Sequence, residues 1–529
     1  MKGSHTSRAL VLDVLSPVAL ILIAAFSSFR QEDVRFWDES LYLERGFSLA
    51  FGARPSWEWN PLYTDMYWLL GRLFTSPIDL YFAGRALSAI TVVLAVWISL
   101  RLFTGRGIAA AGALVMSALP ITYVWPGVSS PSAGFLLLAI AIAWRWRNPS
   151  SYVTATAITW LAAAIRPEFV WAALGVTVTV AVVLVLSVTR KHMTVTTVTS
   201  LGFGLVAMPL ILTVAYGNPV DLGTRSWEAF EQHYELRFAT ESDDPWQIDA
   251  DVIGRDFPGA SSIPAAATAN TPAFVTHVGK NVLALPISTG GHFMGLGGDS
   301  RSQNLIGVAT AGLWLTALTL ALVRSPARTR AFTQRSWRTL VAPQSRGAMV
   351  IAVIVVGAAL VSTVVIYPRP HYLVLAVAIL TTMTGFVIAD LANPRVTPWL
   401  PVTAIMATSA LTLTAHFFSP MGSANKLNAE SLRALNALPD TWILLTPERP
   451  IDIYLDDGQQ IISPSEETLA QAETFGDLIE SSGVNVIFDG ILFRQAEYAQ
   501  LPGFDAFLQD PTILGFEPVI PGSSFLVRR

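Results

Sequence analysis

The sequence contains no cysteine. Disulfides and thiolate-bound metal sites are therefore excluded, although the absence does not identify a compartment. Charge is also scarce. Only 14% of the 529 residues are Asp, Glu, Lys or Arg, against about 25% in an average soluble domain. The net charge of −4 lies too near neutral to suggest a nucleic-acid partner. Nucleotide signatures are missing as well: there is no G-x-x-x-x-G-K-[ST] and no Rossmann glycine pattern. No internal repeat or low-complexity segment occurs.

What the chain has instead is apolar surface. Hydrophobic residues make up 52% of it, and the mean hydropathy is +0.49. This composition predicts a polytopic membrane protein with some soluble mass attached. Lys2 and Arg8 precede a first apolar stretch that is long for a signal sequence and lacks a clear A-x-A cleavage site, so it reads as an uncleaved membrane helix.

A span needs about 20 mostly apolar residues. That rule predicts about eleven, near 9–28, 79–100, 107–125, 131–144, 151–165, 169–189, 196–216, 303–323, 347–366, 371–390 and 397–417. Alternate connections carry the basic residues: Lys2 and Arg8, then Arg101 and Arg106, Arg145 and Arg147, Arg190 and Lys191, the arginines from Arg324 to Arg346, and Arg395. Between the apolar segments those connections hold no acid. The positive-inside rule makes them cytoplasmic, with the N-terminus. The expectation is a multi-pass protein of the plasma membrane. Its membrane domain spans 1–417, with extracytoplasmic loops at 29–78 and 217–302, and an extracytoplasmic α/β domain spans 418–529.

The first outer loop begins "RFWDESLYLERG". A helix would bring Asp38, Tyr42 and Arg45 to one face. Further on, Leu62, Met66, Leu69, Leu70 and Phe74 form an apolar stripe flanked by Tyr63 and Trp68, which predicts a second helix lying in the membrane interface. In the second loop, "SWEAFEQHYELRF" puts Trp227, Phe230 and Tyr234 on one face and Glu228, Glu231 and Glu235 on another. His233 has no metal partner there and reads as structural. Glycines 290, 291, 295, 297 and 298 suggest a mobile loop before the eighth span. In the tail, "TWILLTP" and "IDIYLDDGQQII" read as strands with a hairpin turn at Asp457-Gly458. Ser463 to Glu466 reads as a capping box opening a helix that ends near Gly483, and "VNVIFDG" reads as a buried strand.

Ionisable groups at membrane depth are costly and usually line a pathway or a site. Arg85 falls inside the second span. Arg166 and Glu168 sit in "AAAIRPEFVWAAL", and Arg369, His371 and Tyr372 in "YPRPHYL". In this topology all of them, with Asp38 and Glu39, belong to the outer face. Each also has a plainer reading: Arg166 can pair with Glu168, and Arg369 can snorkel. Together they suit one chemistry. A departing lipid phosphate needs cations to hold its charge, and a sugar hydroxyl needs a carboxylate to take its proton.

An Asp-Glu pair just after the first membrane helix, with a Tyr following at Tyr42, resembles GT-C glycosyltransferases, nearest to the protein O-mannosyltransferase and aminoarabinose transferase branch. The "RPE" after an apolar helix is similar to that family's pattern. The resemblance covers the architecture of residues 1–417 and leaves the tail unassigned. It implies an integral-membrane inverting glycosyltransferase, hexosyl- or pentosyl-, acting on the extracytoplasmic face. The donor would be a polyprenyl-phosphate-linked sugar and the acceptor a glycan, lipid or protein, with membrane lipid as surroundings. Asp38 matches the family's catalytic base and Glu39 its partner acid. Tyr42, Arg45, Arg85, Arg166, Glu168, Arg369, His371 and Tyr372 are candidate substrate-binding residues by the physical argument. Relatives often carry a further acid in the second outer loop, where this chain has "TYVWPGVSSPSAG" and none. Asp38, Glu39 and Glu168 offer oxygen ligands for a divalent cation, but no spacing demands one. The alternatives are a transporter or lipid flippase, which would place its charges near the bilayer midplane, and a non-catalytic scaffold displaying the tail.

Overall fold

The structure is a computed structural model. It describes the chain except residues 1–2, 32, 50–53, 190–192, 221–224, 236, 239–250, 298–300, 325, 392–425, 439–440, 448–449, 457–458, 465, 491–492 and 529. The expected span at 397–417 and the Asp457-Gly458 turn lie outside the described residues.

In chain order the helices are α1 (Gly3–Gln31), α2 (Asp38–Phe47), α3 (Pro61–Leu70), α4 (Pro77–Arg101), α5 (Arg106–Ala118), α6 (Ser129–Trp146), α7 (Pro149–Ile165), α8 (Val170–Thr189) and α9 (Val195–Tyr216). There follow α10 (Arg225–Glu235), α11 (Asp251–Asp256), α12 (Ile263–Ala269), α13 (Thr271–Phe293), α14 (Arg301–Arg324), α15 (Pro326–Val341), α16 (Arg346–Val365) and α17 (Pro370–Leu391). The tail holds α18 (Leu427–Asn436), β1 (Ile443–Leu445), β2 (Gln460–Ile462), α19 (Glu466–Gln471), α20 (Phe475–Ser481), β3 (Val486–Phe488), α21 (Phe504–Gln509), β4 (Phe516–Pro518) and β5 (Phe525–Arg528).

Ten of the expected spans coincide with helices: α1, α4 to α9, α14, α16 and α17. Among the described residues six helices are long and apolar enough to cross a membrane: Pro77–Arg101, Pro167–Thr189, Val195–Tyr216, Gln303–Val323, Arg346–Val365 and Pro370–Leu391. Asp13–Phe29 and Arg106–Ala118 are shorter apolar helices. The apolar side chains point outward as well as inward. On α9, Phe203 is 76% exposed, with Leu210 and Val214 also open. Apolar surface of this extent suits lipid, not water. The interior packs through small residues. Gly134 of α6 lies so close to α4 that a Cβ there would meet the Thr91 carbonyl oxygen at 3.2 Å, the close approach that small residues allow between membrane helices.

The chain divides into two compact units. The first comprises Met1–Phe29, Ala50–Met66 and Gly84–Phe418. The second comprises Arg30–Leu49, Tyr67–Ala83 and Ser419–Arg529, so it holds α2 together with the tail.

The second unit is built on a five-stranded sheet in the order β2-β1-β3-β5-β4. β1 runs parallel to both β2 and β3, while β5 is antiparallel to β3 and β4. Leu445, Ile487 and Leu526 of the sheet pack against Phe475 and Leu478 of α20 and Phe507 of α21. The expected hairpin is corrected here. Asp452–Tyr454 forms a 3-10 turn, and β2 returns to pair with β1 in parallel. The Asp-Gly signal is local and could not report that longer return. The helix expected to run to near Gly483 is two, α19 and α20. The second is capped reciprocally by Thr474 and Asp477, which stops the first from continuing.

On α3 the buried residues are Pro61, Tyr63, Thr64 and Tyr67, Leu62 packs against the core from a partly buried position, and Leu69 of the apolar stripe is 60% exposed. Two further expectations change. On α10, Glu235 is buried along with Phe230 and Tyr234. The glycine-rich stretch is not a loose loop throughout. Asn270 caps α13 through the Ala273 amide, Pro272 enters its first turn, and the helix runs through Gly290 and Gly291. Gly295 then takes a left-handed φ of 79°, where a Cβ would strike the Gly307 backbone at 2.1 Å, so that glycine serves a tight turn.

Candidate active site

In the second unit, α2 is entered through Trp37, whose backbone lies at φ 73° and ψ −136°. This region disfavours any residue but glycine, and such strain persists only where the surroundings over-determine it. Asp38 and Glu39 form the first turn of the helix. Asp38 is half-buried and Glu39 fully buried. The Tyr67 hydroxyl donates to Glu39 Oε1. One residue on, Ser40 Oγ donates to the Arg35 carbonyl at 3.0 Å and lies 2.6 Å from the Tyr454 hydroxyl. Burial first, then the neighbouring Tyr81 and the Glu39 charge, push the Tyr454 phenol well above its ordinary pKa.

The tail holds α2 from further points. Phe36 packs edge-on against Phe488 and Phe525 at 5.2 and 6.4 Å. Asp33 accepts from the Asn428 and Ala429 amides at 2.8 and 3.0 Å, at the start of α18. Burial raises its pKa against the pull of those amides. The Arg35 amide donates to the Tyr81 hydroxyl at 3.2 Å. Tyr42, on the face expected to carry Asp38, is buried, while Arg45 is exposed.

In the first unit, Pro167 ends α7. The residue before a proline is driven out of the helical region, and Arg166 accordingly adopts φ −143° and ψ 100°. Its buried guanidinium donates from Nε to Glu168 Oε1 at 3.2 Å and from Nη1 to Ser129 Oγ. Nη1 also lies 3.5 Å from the His371 carbonyl oxygen, and the guanidinium carbon sits 4.5 Å from the centre of the Tyr372 ring. Ser129, Arg166, Glu168, Ser362, His371 and Tyr372 line one recess. Four of the predicted residues therefore come together: Arg166, Glu168, His371 and Tyr372.

Arg369 is half-buried on the turn before α17. Its charge reaches His233, which burial chiefly, and Arg369 next, bring down to about 3. Arg85 is committed elsewhere. Its Nη1 and Nη2 donate to the Val124 and Tyr123 carbonyls at 2.9 and 2.6 Å, fixing the turn after Pro120–Tyr123.

Several residues escaped the sequence reading. Tyr67 and Tyr454 hold the carboxylate helix, and Ser129 holds Arg166. His277 Nε2 donates to the Val365 and Ile366 carbonyls at 2.9 and 3.0 Å, and Asn281 donates to Val364 at 2.8 Å. This pair secures the end of α16, next to the turn bearing Arg369 and the start of α17, which carries His371. Its i, i+4 spacing in "THVGKN" was the available signal. Among the described residues no three His, Cys, Asp or Glu side chains gather as a metal cluster.

No family model and no curated protein matches the sequence. Solved structures give distant likenesses. One is the arabinofuranosyltransferase AftD from Mycobacteria, at 12% identity and a TM-score of 0.40, covering 90% of this chain and 34% of that one. The chain thus spans about a third of that protein's length. Another is ArnT from Cupriavidus metallidurans bound to undecaprenyl phosphate, at 16% identity and a TM-score of 0.35, covering 97% of each chain. A third is the Archaeoglobus fulgidus oligosaccharyltransferase in its apo form, at 10% identity and a TM-score of 0.41, covering 89% of this chain and 69% of that one.

Proposed function

We propose that this protein is an inverting glycosyltransferase of the GT-C type. It moves a hexosyl or pentosyl group from a polyprenyl-phosphate-linked donor to an acceptor hydroxyl on the extracytoplasmic face. The observation that carries the reading is the start of α2: a strained Trp37, a half-exposed Asp38, and a buried Glu39 held by Tyr67. Strain of this kind costs about 1–3 kcal/mol and collects at functional positions.

In the proposed reaction the acceptor oxygen attacks the anomeric carbon from the face opposite the phosphate. The bond from that carbon to the phosphate oxygen breaks, and both of its electrons leave with polyprenyl phosphate. Asp38 takes the hydroxyl proton as general base. Glu39 is the partner acid, kept in place by Tyr67. The recess around Arg166 is assigned to the leaving phosphate, whose growing charge a guanidinium matches in shape and sign. Ser129 and Tyr372 hold that guanidinium in one orientation, and Arg369 adds charge on the turn before α17. Tyr42 and Arg45 are assigned to substrate contact on α2, where Arg45 is the exposed member.

Purified protein in nanodiscs, given polyprenyl-phosphoryl sugars of differing headgroup and an acceptor, tests the reading. It predicts release of polyprenyl phosphate coupled to a glycoside of inverted configuration, read by nuclear magnetic resonance. Release without glycoside, or a glycoside of retained configuration, would count against it.

A further inference from the structure

We propose that α15 lies in the lipid headgroup layer and binds anionic phospholipid. Residues 324–346 include six arginines and no acid. Within that segment α15 buries no residue. Its spacing sets Arg328, Arg335 and Arg338 on one side. Trp337, Leu340 and Val341 form a stripe on the other, with Arg330 among them, while Phe332 lies on the arginine side, four residues from Arg328 and three from Arg335. Trp337 is 66% exposed, Val341 53% and Leu340 37%. A basic helix with an open aromatic and aliphatic stripe is the composition that settles in an interface.

Its position supplies the second observation. α14 ends at Arg324 and α16 begins at Arg346. Arg335 Nη2 meets Asp390 Oδ2 at 2.6 Å, and Asp390 is the last residue but one of α17. The ends of three apolar helices therefore gather at one level, which for a spanning helix is the edge of the hydrocarbon. The 16 residues of α15 extend about 24 Å. A helix tied to that level through its own middle runs along it and does not project from it. Trp337 then sits at headgroup depth, where its ring is favoured.

Arg328, Arg330 and Arg338 are exposed. Among the described residues only Arg335 of this helix pairs with an acid. A guanidinium fork matches a phosphodiester oxygen pair, and a net negative headgroup supplies the charge the segment lacks. Each such arginine strengthens binding to an anionic leaflet about fivefold. The inference concerns the surface of the first unit and does not depend on the proposed transferase activity.

Because the chain has no cysteine, Leu340→Cys provides a single thiol for a fluorophore on the full-length protein. The probe lipids are brominated phosphatidylglycerol and brominated phosphatidylcholine, compared at equal fraction in nanodiscs. Phosphatidylglycerol is expected to quench the label several-fold more efficiently, and salt is expected to weaken the preference. The combined change Arg328→Gln, Arg330→Gln and Arg338→Gln is expected to reduce the preference more than tenfold. A label at Val214→Cys, on the outward face of α9, reports insertion of every variant. Equal quenching by the two lipids overturns the proposal. So does a preference that survives loss of the three arginines, or a label open only to aqueous quencher.

Discussion

The Ser40 and Tyr454 hydroxyl oxygens lie 2.6 Å apart, buried, across 414 positions of sequence. A serine hydroxyl has one proton, and Ser40 gives it to the Arg35 carbonyl. Tyr454 is therefore the donor between them. Tyr454→Phe should destabilise the second unit by about 1 kcal/mol and slow transfer beyond what that loss explains, because α2 then carries Asp38 less firmly. Combined with Ser40→Ala, the effect should fall short of the sum of the single changes, as expected for two ends of one bond. Thermal unfolding and initial rates on the same samples measure both.

Glu39 is a carboxylate with no solvent contact, and Tyr67 donates to it. Tyr67→Phe preserves the ring and removes the donor. A stability loss of about 1–3 kcal/mol is expected, since a buried acceptor loses a partner. Glu39→Gln should be better tolerated for folding, since an amide oxygen still accepts. The order of the two unfolding midpoints decides the matter.

Arg166 holds its place through Ser129, Glu168 and the Tyr372 ring at once. Lysine keeps the charge and loses both the fork and the stacking plane. Arg166→Lys should therefore raise KM for the lipid donor and lower kcat/KM about tenfold or more, at a cost near 1.4 kcal/mol. Steady-state kinetics with a varied lipid donor provide the readout. Arg85→Lys should affect stability more than kinetics, because Arg85 serves two carbonyls of a turn.

His233 and His277 give a pH dependence of defined sign. Burial chiefly, with Arg369 near the first and Arg237 near the second, brings them down to about 3 and about 4. Free histidine titrates near 6.5, so below that pH the unfolded chain binds protons that the folded chain refuses. Stability should be full above about pH 6.5 and should fall as the pH drops toward 4. Each histidine contributes about a tenfold change in the folding equilibrium per pH unit within its window. His277→Gln should flatten the slope of the unfolding midpoint against pH.

The apolar spans were legible because a bilayer demands about 20 consecutive apolar residues, and that pattern is local. The helix at Asp38–Phe47 was legible for the same reason: its spacing lies within one stretch. The partners of that helix were not. Nothing near Ser40 announces Tyr454, and nothing near Glu39 selects Tyr67 over Tyr63, because those pairings come from tertiary packing. The "RPE" stretch was half legible. The proline predicts where α7 must end, and the Arg166–Glu168 pair is local, but Ser129 and Tyr372 arrive from other helices. The parallel pairing of β1 with β2 was hidden behind a turn signal that favoured a hairpin.

The central claim is that Asp38 accepts a proton during sugar transfer, and Asp38→Asn tests it most directly. The variant keeps the size of the side chain and removes the base. With unfolding and membrane insertion unchanged, turnover of a polyprenyl-phosphoryl sugar should drop by about 10²–10⁴-fold, the usual worth of a general base. Turnover within a few-fold of the unmodified protein would contradict the account.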